Sequence, residues 1–512
     1  MMRKRTFSTF RTAIAFLTLF LFLLSFAITS IYAQGFSDKV KEFTLSNGMR
    51  FFVYERPQVP TFAGMIMVKV GSVDERKGET GLAHFFEHMA FKGTSVIGTR
   101  DYAKEKLILD EMDRIGDELA SERLKGNQAD EAKIRALKDK LKQLQEEHRK
   151  FVVKDEIDRI YSENGGEFLN ASTGPDSTQY FVMLPSNRLE LWFLIESERF
   201  KNLVFREFYS ERDVVAEERR MSRDNTPDGF LREEFTNMAF VLHPYRHTVI
   251  GYMEDIQSYT KDKALNFYNT FYIPSNMVAA LVGDVKLEEV KGFAEKYFGD
   301  IPKGEDPPRH SVIEPKQRGE RRVTVRFDAE PILMIGYHMP ALSEKDNLSL
   351  GLISMILSRG SSSRLYRDLI TNRRIAISIS TATNVPGSRY ASLFQVYGRP
   401  QHPHTPEELE KAVYEHLDRM KEEPVKPEEL EKVINMSEAA LYRSIGFADN
   451  VFLAMRLLRN VILFDDVDAD FKRVEALKKI TPEEIMAAAN KYFTESNRTV
   501  GILLRKEKGG EK

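Results

Sequence analysis

The stretch Thr260–Asn276, TKDKALNFYNTFYIPSN, aligns without a gap on Thr481–Asn497, TPEEIMAAANKYFTESN. Each copy reads as a threonine, a helix and an N-x-aromatic-aromatic-x-x-S-N signature, followed by an apolar strand, MVAALVGD in the first and RTVGILLR in the second. Matching threonine, asparagine, paired aromatics and Ser-Asn at the same offsets mark a duplication. The chain therefore reads as two copies of one α/β domain. Between them, Gly299–Arg322 (GDIPKGEDPPRHSVIEPKQRGERR) is rich in proline, glycine and charge, as an exposed interdomain linker should be.

The predicted boundaries are 36–302 for the first domain, 303–321 for the linker, 322–504 for the second domain and 505–512 for a charged tail. Each domain opens on strands: FTLSNGMRFFVYE and TFAGMIMVKVGS in the first, RRVTVRFDA and EPILMIGYHMP in the second. Asn47-Gly48 between alternating residues marks a hairpin. Helices follow, so the fold class is α+β, two homologous domains each with an antiparallel or mixed sheet and helices packed on it. Residues 101–159 have no counterpart in the second half. Their Lys, Glu, Leu and Ile at helical spacing, broken by KGNQ at 125–128, predict a two-helix hairpin: a solvated insertion, a cap over the site or a partner surface.

With 512 residues, 42% hydrophobic and 30% charged, the chain can bury more than one core. The net charge of −2 gives no bulk electrostatic reason to expect nucleic acid. Arg3, Lys4, Arg5 and Arg11 precede the apolar run Thr12–Ala33, an order that predicts a secretory signal over residues 1–33. The run is also long enough to span a bilayer of about 30 Å as a retained anchor. The chain is thus expected to be exported, periplasmic or extracellular, and membrane-bound only if residues 12–33 stay uncleaved. It contains no cysteine, which excludes disulfides, thiolate metal sites and a cysteine nucleophile. Any metal must be held by His, Asp or Glu.

His84, Glu87 and His88 form H-x-x-E-H within Gly81–Thr94, GLAHFFEHMAFKGT. On a helix His84 and His88 lie one turn apart on one face, so both imidazoles can reach a single ion. Glu87 projects from the same side, while Leu82, Phe85, Phe86 and Met89 supply the apolar cover. Zinc ordinarily takes three protein ligands and a water in catalytic sites, so a third donor is needed, and without cysteine it is expected to be a carboxylate. Glu211 and Glu218 in Phe208–Asn225 (FYSERDVVAEERRMSRDN) are seven apart, about two turns, and share a face, whereas Glu217 points away. Spacing alone does not choose between them. His243 and His247 are also four apart, but Pro244 argues against a shared helical face.

The motif GLAHFFEHMAFKGT, then NGGEFLNASTGPDSTQYFVM and then ERDVVAEE, in that order, resembles the inverzincin metallopeptidases of the pitrilysin/insulinase family, which includes mitochondrial processing peptidase. The similarity runs over the whole mature chain, because that family is also built from duplicated α/β domains, two of which make half of a clamshell. The resemblance implies a zinc metalloendopeptidase hydrolysing unstructured peptides, with one zinc ion per chain. It implies His84, His88 and Glu218 as ligands, Glu87 as the general base on zinc-bound water and Glu211 as a residue behind the ligands. Asn170 and Ala171 lie in the strand pair beside the family's zinc and are implied to contact the substrate, Asn170 alternatively the metal-bound water, and exposed strand edges there can add an extended peptide.

Catalytic relatives carry an Arg and a Tyr seven residues apart in the later domain. The equivalent positions in Ser361–Ser380, SSSRLYRDLITNRRIAISIS, are Ile370 and Ile377, and neither side chain can donate a hydrogen bond. A heterodimer follows as an expectation: this chain would bring zinc and a homologous subunit the Arg and Tyr, with a homodimer as the variant arrangement. The alternative is a noncatalytic structural or processing subunit of the same fold.

Overall fold

The computed structural model describes residues 36–309, 312–446 and 448–506. The signal or anchor expected over residues 1–33, and all but Arg505 and Lys506 of the charged tail, lie outside the described residues. Among the described residues no helix is long and apolar enough to cross a membrane.

Among the described residues eleven strands form two sheets. The first comprises β1 (Val40–Thr44), β2 (Arg50–Glu55), β3 (Thr61–Val68), β4 (Glu167–Thr173), β5 (Thr178–Pro185) and β6 (Met277–Gly283), in the order β1-β2-β6-β3-β5-β4. The second comprises β7 (Arg321–Phe327), β8 (Ile332–Met339), β9 (Ala376–Val385), β10 (Ser392–Pro400) and β11 (Arg498–Arg505), in the order β7-β11-β8-β10-β9. Apart from the extra β1, the orders superimpose. In each sheet the strand that ends the repeat, β6 or β11, runs parallel to one neighbour and antiparallel to the other. The α+β class and the mixed sheets are therefore present, twice.

The local chemistry of the repeat explains its signature. Thr260 and Thr481 each cap a helix, their side chains accepting from the amides of Lys263 and Glu484. The closing asparagines do the same work in both copies: Asn276 Nδ2 donates to the carbonyl of Phe271 and Asn497 Nδ2 to that of Tyr492, both at 2.8 Å. Each bond ties the helix end to the strand that follows. At the first hairpin, Gly48 takes φ +92°, which its lack of a side chain permits, and β1 pairs antiparallel with β2.

The helices do not respect the boundary that separates the sheets. The helix Pro227–Ala239 comes from the first half, yet Leu231, Phe235 and Ala239 pack with Ile332, Met334, Leu393 and Leu503 of the second sheet. Reciprocally, Asn450–Phe464 from the second half sets Leu453, Leu457 and Leu458 against Phe52, Met65, Ala280 and Val282 of the first. Each half thus lends one amphipathic helix to cover the other's sheet. The linker is also tied down, with the Glu314 carboxylate accepting from the amides of Val241, Leu242 and His243.

The inserted segment forms two helices, Tyr102–Arg123 and Glu131–His148, turned through Leu124–Asp130. A buried polar knot fastens it to the body. Arg206 gives a paired contact to the Glu105 carboxylate (2.6 and 3.0 Å) and donates to the carbonyls of Lys92, Thr94 and Ile97. His148 meets the same carboxylate at 2.8 Å. These contacts hold Glu105 down at a pKa of about 2, despite burial that works the other way.

Candidate metal centre

The H-x-x-E-H segment lies on the helix Leu82–Met89, whose start is built for a tight approach. Gly81 precedes it at φ +91°, and a Cβ there would fall 2.3 Å from the carbonyl oxygen of Ile250. The buried Glu75 carboxylate accepts from the amides of Gly81 (2.7 Å) and Ala83 (2.8 Å), filling the role a capping side chain would play. Phe85, Phe86, Leu82 and Met89 are buried in the first core, which leaves the polar face to the histidines and Glu87.

The helix Phe208–Arg219 crosses that face and brings both candidate carboxylates with it. Donor atoms of His84, His88 and Glu218 all lie within 4.8 Å of one another. His84 Nε2 stands 3.6 Å from one Glu218 oxygen, and His88 Nε2 stands 3.5 Å from the other. Those separations are too long for hydrogen bonds. They match the edges, about 3.4 Å, of a tetrahedron drawn with zinc–nitrogen and zinc–oxygen bonds of about 2.0–2.2 Å. The donor set, two imidazoles and a carboxylate without thiolate, also suits zinc.

Glu211 sits behind His88 instead of beside the three converging donors. It takes a hydrogen bond with His88 Nδ1 at 2.9 Å and an ion pair with Lys92 Nζ at 2.6 Å. A carboxylate in that place fixes the tautomer and orientation of the ring, directing Nε2 toward Glu218. Burial opposes the charged form of His88, but the Glu211 bond and the nearby carboxylates outweigh it and raise the pKa. Burial also opposes ionised Glu211, yet His88 and Lys92 hold its pKa below the usual carboxylate range. At His84 burial, with the charges of His88 and Arg223, drives the pKa down to about 3, so that ring is neutral and its nitrogen free to ligate.

Glu87 is held by the Thr173 hydroxyl, which donates to its carboxylate at 2.5 Å. Burial raises the Glu87 pKa, and the Thr173 bond partly opposes the shift. Thr173 comes from β4, the edge strand of the first sheet, where alternation turns Ala171 and Thr173 toward the motif helix. Asn170, implied as a substrate contact, is exposed on the opposite side of β4, and its Oδ1 accepts from the amide of Ala171. The backbone of β4 is unpaired along its outer edge.

Three supporting residues, Thr173, Lys92 and Glu75, carry no signal at the spacing of the motif. Thr173 could have been found only by parity, since it lies two residues beyond Ala171 on the same strand face. His243 and His247 flank a short turn, His243 Nδ1 accepting from the amide of Tyr245. In the second half, Ile370 packs against the core and Ile377 is exposed on β9.

Residues 51–108 match the family described as Insulinase (Peptidase family M16), and residues 258–437 match Peptidase M16 inactive domain. Zinc protease PqqE of Helicobacter pylori is 28% identical over 483 residues, covering 93% of this chain and 95% of that protein. An uncharacterized zinc protease of Rickettsia bellii is 25% identical over 457 residues, 88% of this chain and 94% of its own length. Among solved structures, a protease from Helicobacter pylori superimposes with a TM-score of 0.75 at 26% identity, over 91% of this chain and 99% of that one. The periplasmic protease PqqL from Escherichia coli superimposes at 0.67 and 16% identity, and there the chain spans only 47% of the longer protein.

Two-domain α+β architecture joined to an H-x-x-E-H helix defines the class as that of the inverzincin peptidases. The chain belongs to the pitrilysin/insulinase family, peptidase family M16.

Proposed function

We propose that this chain is a zinc endopeptidase that hydrolyses unstructured peptides after export from the cytoplasm. The observation that carries the reading is the convergence of His84, His88 and Glu218 at 3.5–3.6 Å without hydrogen bonds among them. Zinc held by these three side chains supplies a Lewis acid that polarises a scissile carbonyl and lowers the pKa of water from about 15.7 toward 7.

The chain's own residues provide the rest. Glu87 accepts the proton of the attacking water and returns it to the leaving amine, its carboxylate aimed by the Thr173 hydroxyl. Glu211 keeps His88 in the ligating tautomer while Lys92 keeps Glu211 charged. The free edge of β4 adds the substrate as an extended strand, through the backbone of Asn170 and Ala171.

Ile370 and Ile377 cannot donate a hydrogen bond to orient the substrate carbonyl from the second half, as an Arg and a Tyr there would. A homologous subunit carrying Arg and Tyr at those positions would complete the site as a heterodimer. The test is zinc content and peptide hydrolysis of the purified chain, alone and mixed with candidate homologous subunits. Stoichiometric zinc with hydrolysis only in the mixture is the expected result. Full turnover by the chain alone would remove the need for the partner, and zinc-free, inactive protein in every mixture would leave a noncatalytic subunit.

A further inference from the structure

The helix Phe208–Arg219 has a second face, turned away from the histidines. Glu211 and Glu218 lie on one side; Arg212, Ala216 and, in the turn beyond, Arg220 lie on the other, at spacings of four residues. That other side faces the insertion helix Glu131–His148 across a groove of about 620 Å³, within the range of about 300–1,000 Å³ for ligand sites. From this groove we infer that the protein binds an acidic polypeptide segment between its insertion and the helix that carries Glu218.

The lining is strongly one-signed. Lys138, Lys142 and Arg149 form a stripe on the insertion helix, Arg212 and Arg220 form the facing stripe, Arg220 being paired at 2.7 Å with Glu217, and Arg123 stands at the end of the first insertion helix. Asp213 is the one acid in the lining; it is 76% exposed and 3.9 Å from Arg212. Lys138, Lys142 and Arg149 are exposed and have no carboxylate partner among the described residues. Arg212 is nearly covered, its guanidinium laid over the Tyr209 ring at 5.3 Å. Gathering so many cations costs energy unless an anion enters.

Dimensions choose the ligand. From residue 138 to residue 149 the insertion helix rises about 16 Å, the length of about five extended residues and too long for a single phosphate or carboxylate. Leu119, Leu141 and Ala216 provide an apolar floor for side-chain stems. The one lining aromatic, Tyr209, is already covered by Arg212, so the groove has no open stacking platform for nucleic acid bases. The ligand would bind whether or not zinc is present, because Glu211 and Glu218 face the other way. This inference therefore stands apart from the proposed hydrolysis.

The test is fluorescence anisotropy of labelled hexaglutamate, hexalysine and a neutral Gly-Ser peptide with the full chain at low salt, metal-free and zinc-loaded. Hexaglutamate should bind in both states with affinity that falls as salt rises, and the neutral and basic peptides should not. Lys138→Glu with Lys142→Glu should weaken binding about tenfold or more, and Arg149→Glu alone should act in the same direction. Lys140→Glu with Lys154→Glu, the same charge change outside the groove, should cost clearly less than the groove pair when both are compared at about 0.15 M salt, where the screening length is about 8 Å. Equal losses from both pairs, equal binding of the neutral peptide, tripolyphosphate outcompeting hexaglutamate, or an oligonucleotide binding more tightly would each overturn the inference.

Discussion

The two sheets share a strand order and differ in what the next helix carries. After β3 comes Leu82–Met89, whose Glu87 meets the hydroxyl of Thr173 on the edge strand β4. After β8 comes Lys345–Ser358, whose Ser354 and Ser358 meet the hydroxyl of Thr381 on the edge strand β9, at 2.8 and 2.7 Å. Ser354 and Ser358 are four apart, like His84 and His88. In the second half the helix otherwise buries Leu350, Ile353, Ile356 and Leu357. One scaffold therefore accommodates either converging imidazole and carboxylate side chains or a plain hydroxyl contact. The two copies differ in the helix surface and not in the strand order.

The largest expected effect tests that asymmetry directly. Glu87→Gln should keep zinc and lose hydrolysis by about 100- to 10,000-fold, the usual contribution of a positioned general base; metal analysis beside a peptide-cleavage assay reads both. Retained turnover would take Glu87 out of the mechanism. The exchanged helices come next. The Phe235 ring packs where a Cβ on Gly336 or Gly501 of the second sheet would lie 2.7 or 2.9 Å away. Phe235→Ala should cost about 3–5 kcal/mol, and Leu457→Ala about 2–5 kcal/mol in the opposite direction of exchange. Hydrogen exchange should show Phe235→Ala loosening β8 and β11 first, and Leu457→Ala loosening β3 and β6. Losses confined to each variant's own half would break the picture of mutual support.

Glu211→Gln should weaken zinc affinity by about 10- to 100-fold while leaving the three donors in place. A competition titration with a chelator measures it. An unchanged affinity would mean that the His88 ring is oriented by packing alone. The site's core was legible because periodicity carries it: His84, Glu87 and His88 share a helix, and Glu211 and Glu218 share another. Spacing could not say which carboxylate faces the histidines, because both lie on one stripe; the choice of Glu218 rested on resemblance, and the geometry sets Glu218 near the ring nitrogens and Glu211 behind one of them. Thr173, Lys92 and Glu75 were hidden, since each meets the motif only through tertiary contact. The mixed sheets followed from the strand patterns. The helix exchange did not, because an apolar stripe on Pro227–Ala239 says that a face is buried but not against which sheet.

The smallest expected effect lies in the second half and bears most directly on the comparison. Ser354→Ala removes one of two hydroxyls that meet Thr381, but Thr381 retains Ser358 at 2.7 Å and can still donate to the carbonyl of Ser354 at 2.9 Å. With partners left for each remaining polar atom, the loss should be about 0.5–1.5 kcal/mol, one ordinary hydrogen bond. Thermal unfolding should therefore show a small shift, with zinc content and hydrolysis unchanged. A fall in turnover approaching that of Glu87→Gln would mean that the second half's helix touches the reaction, and the division between a chemical and a supporting copy would have to be withdrawn.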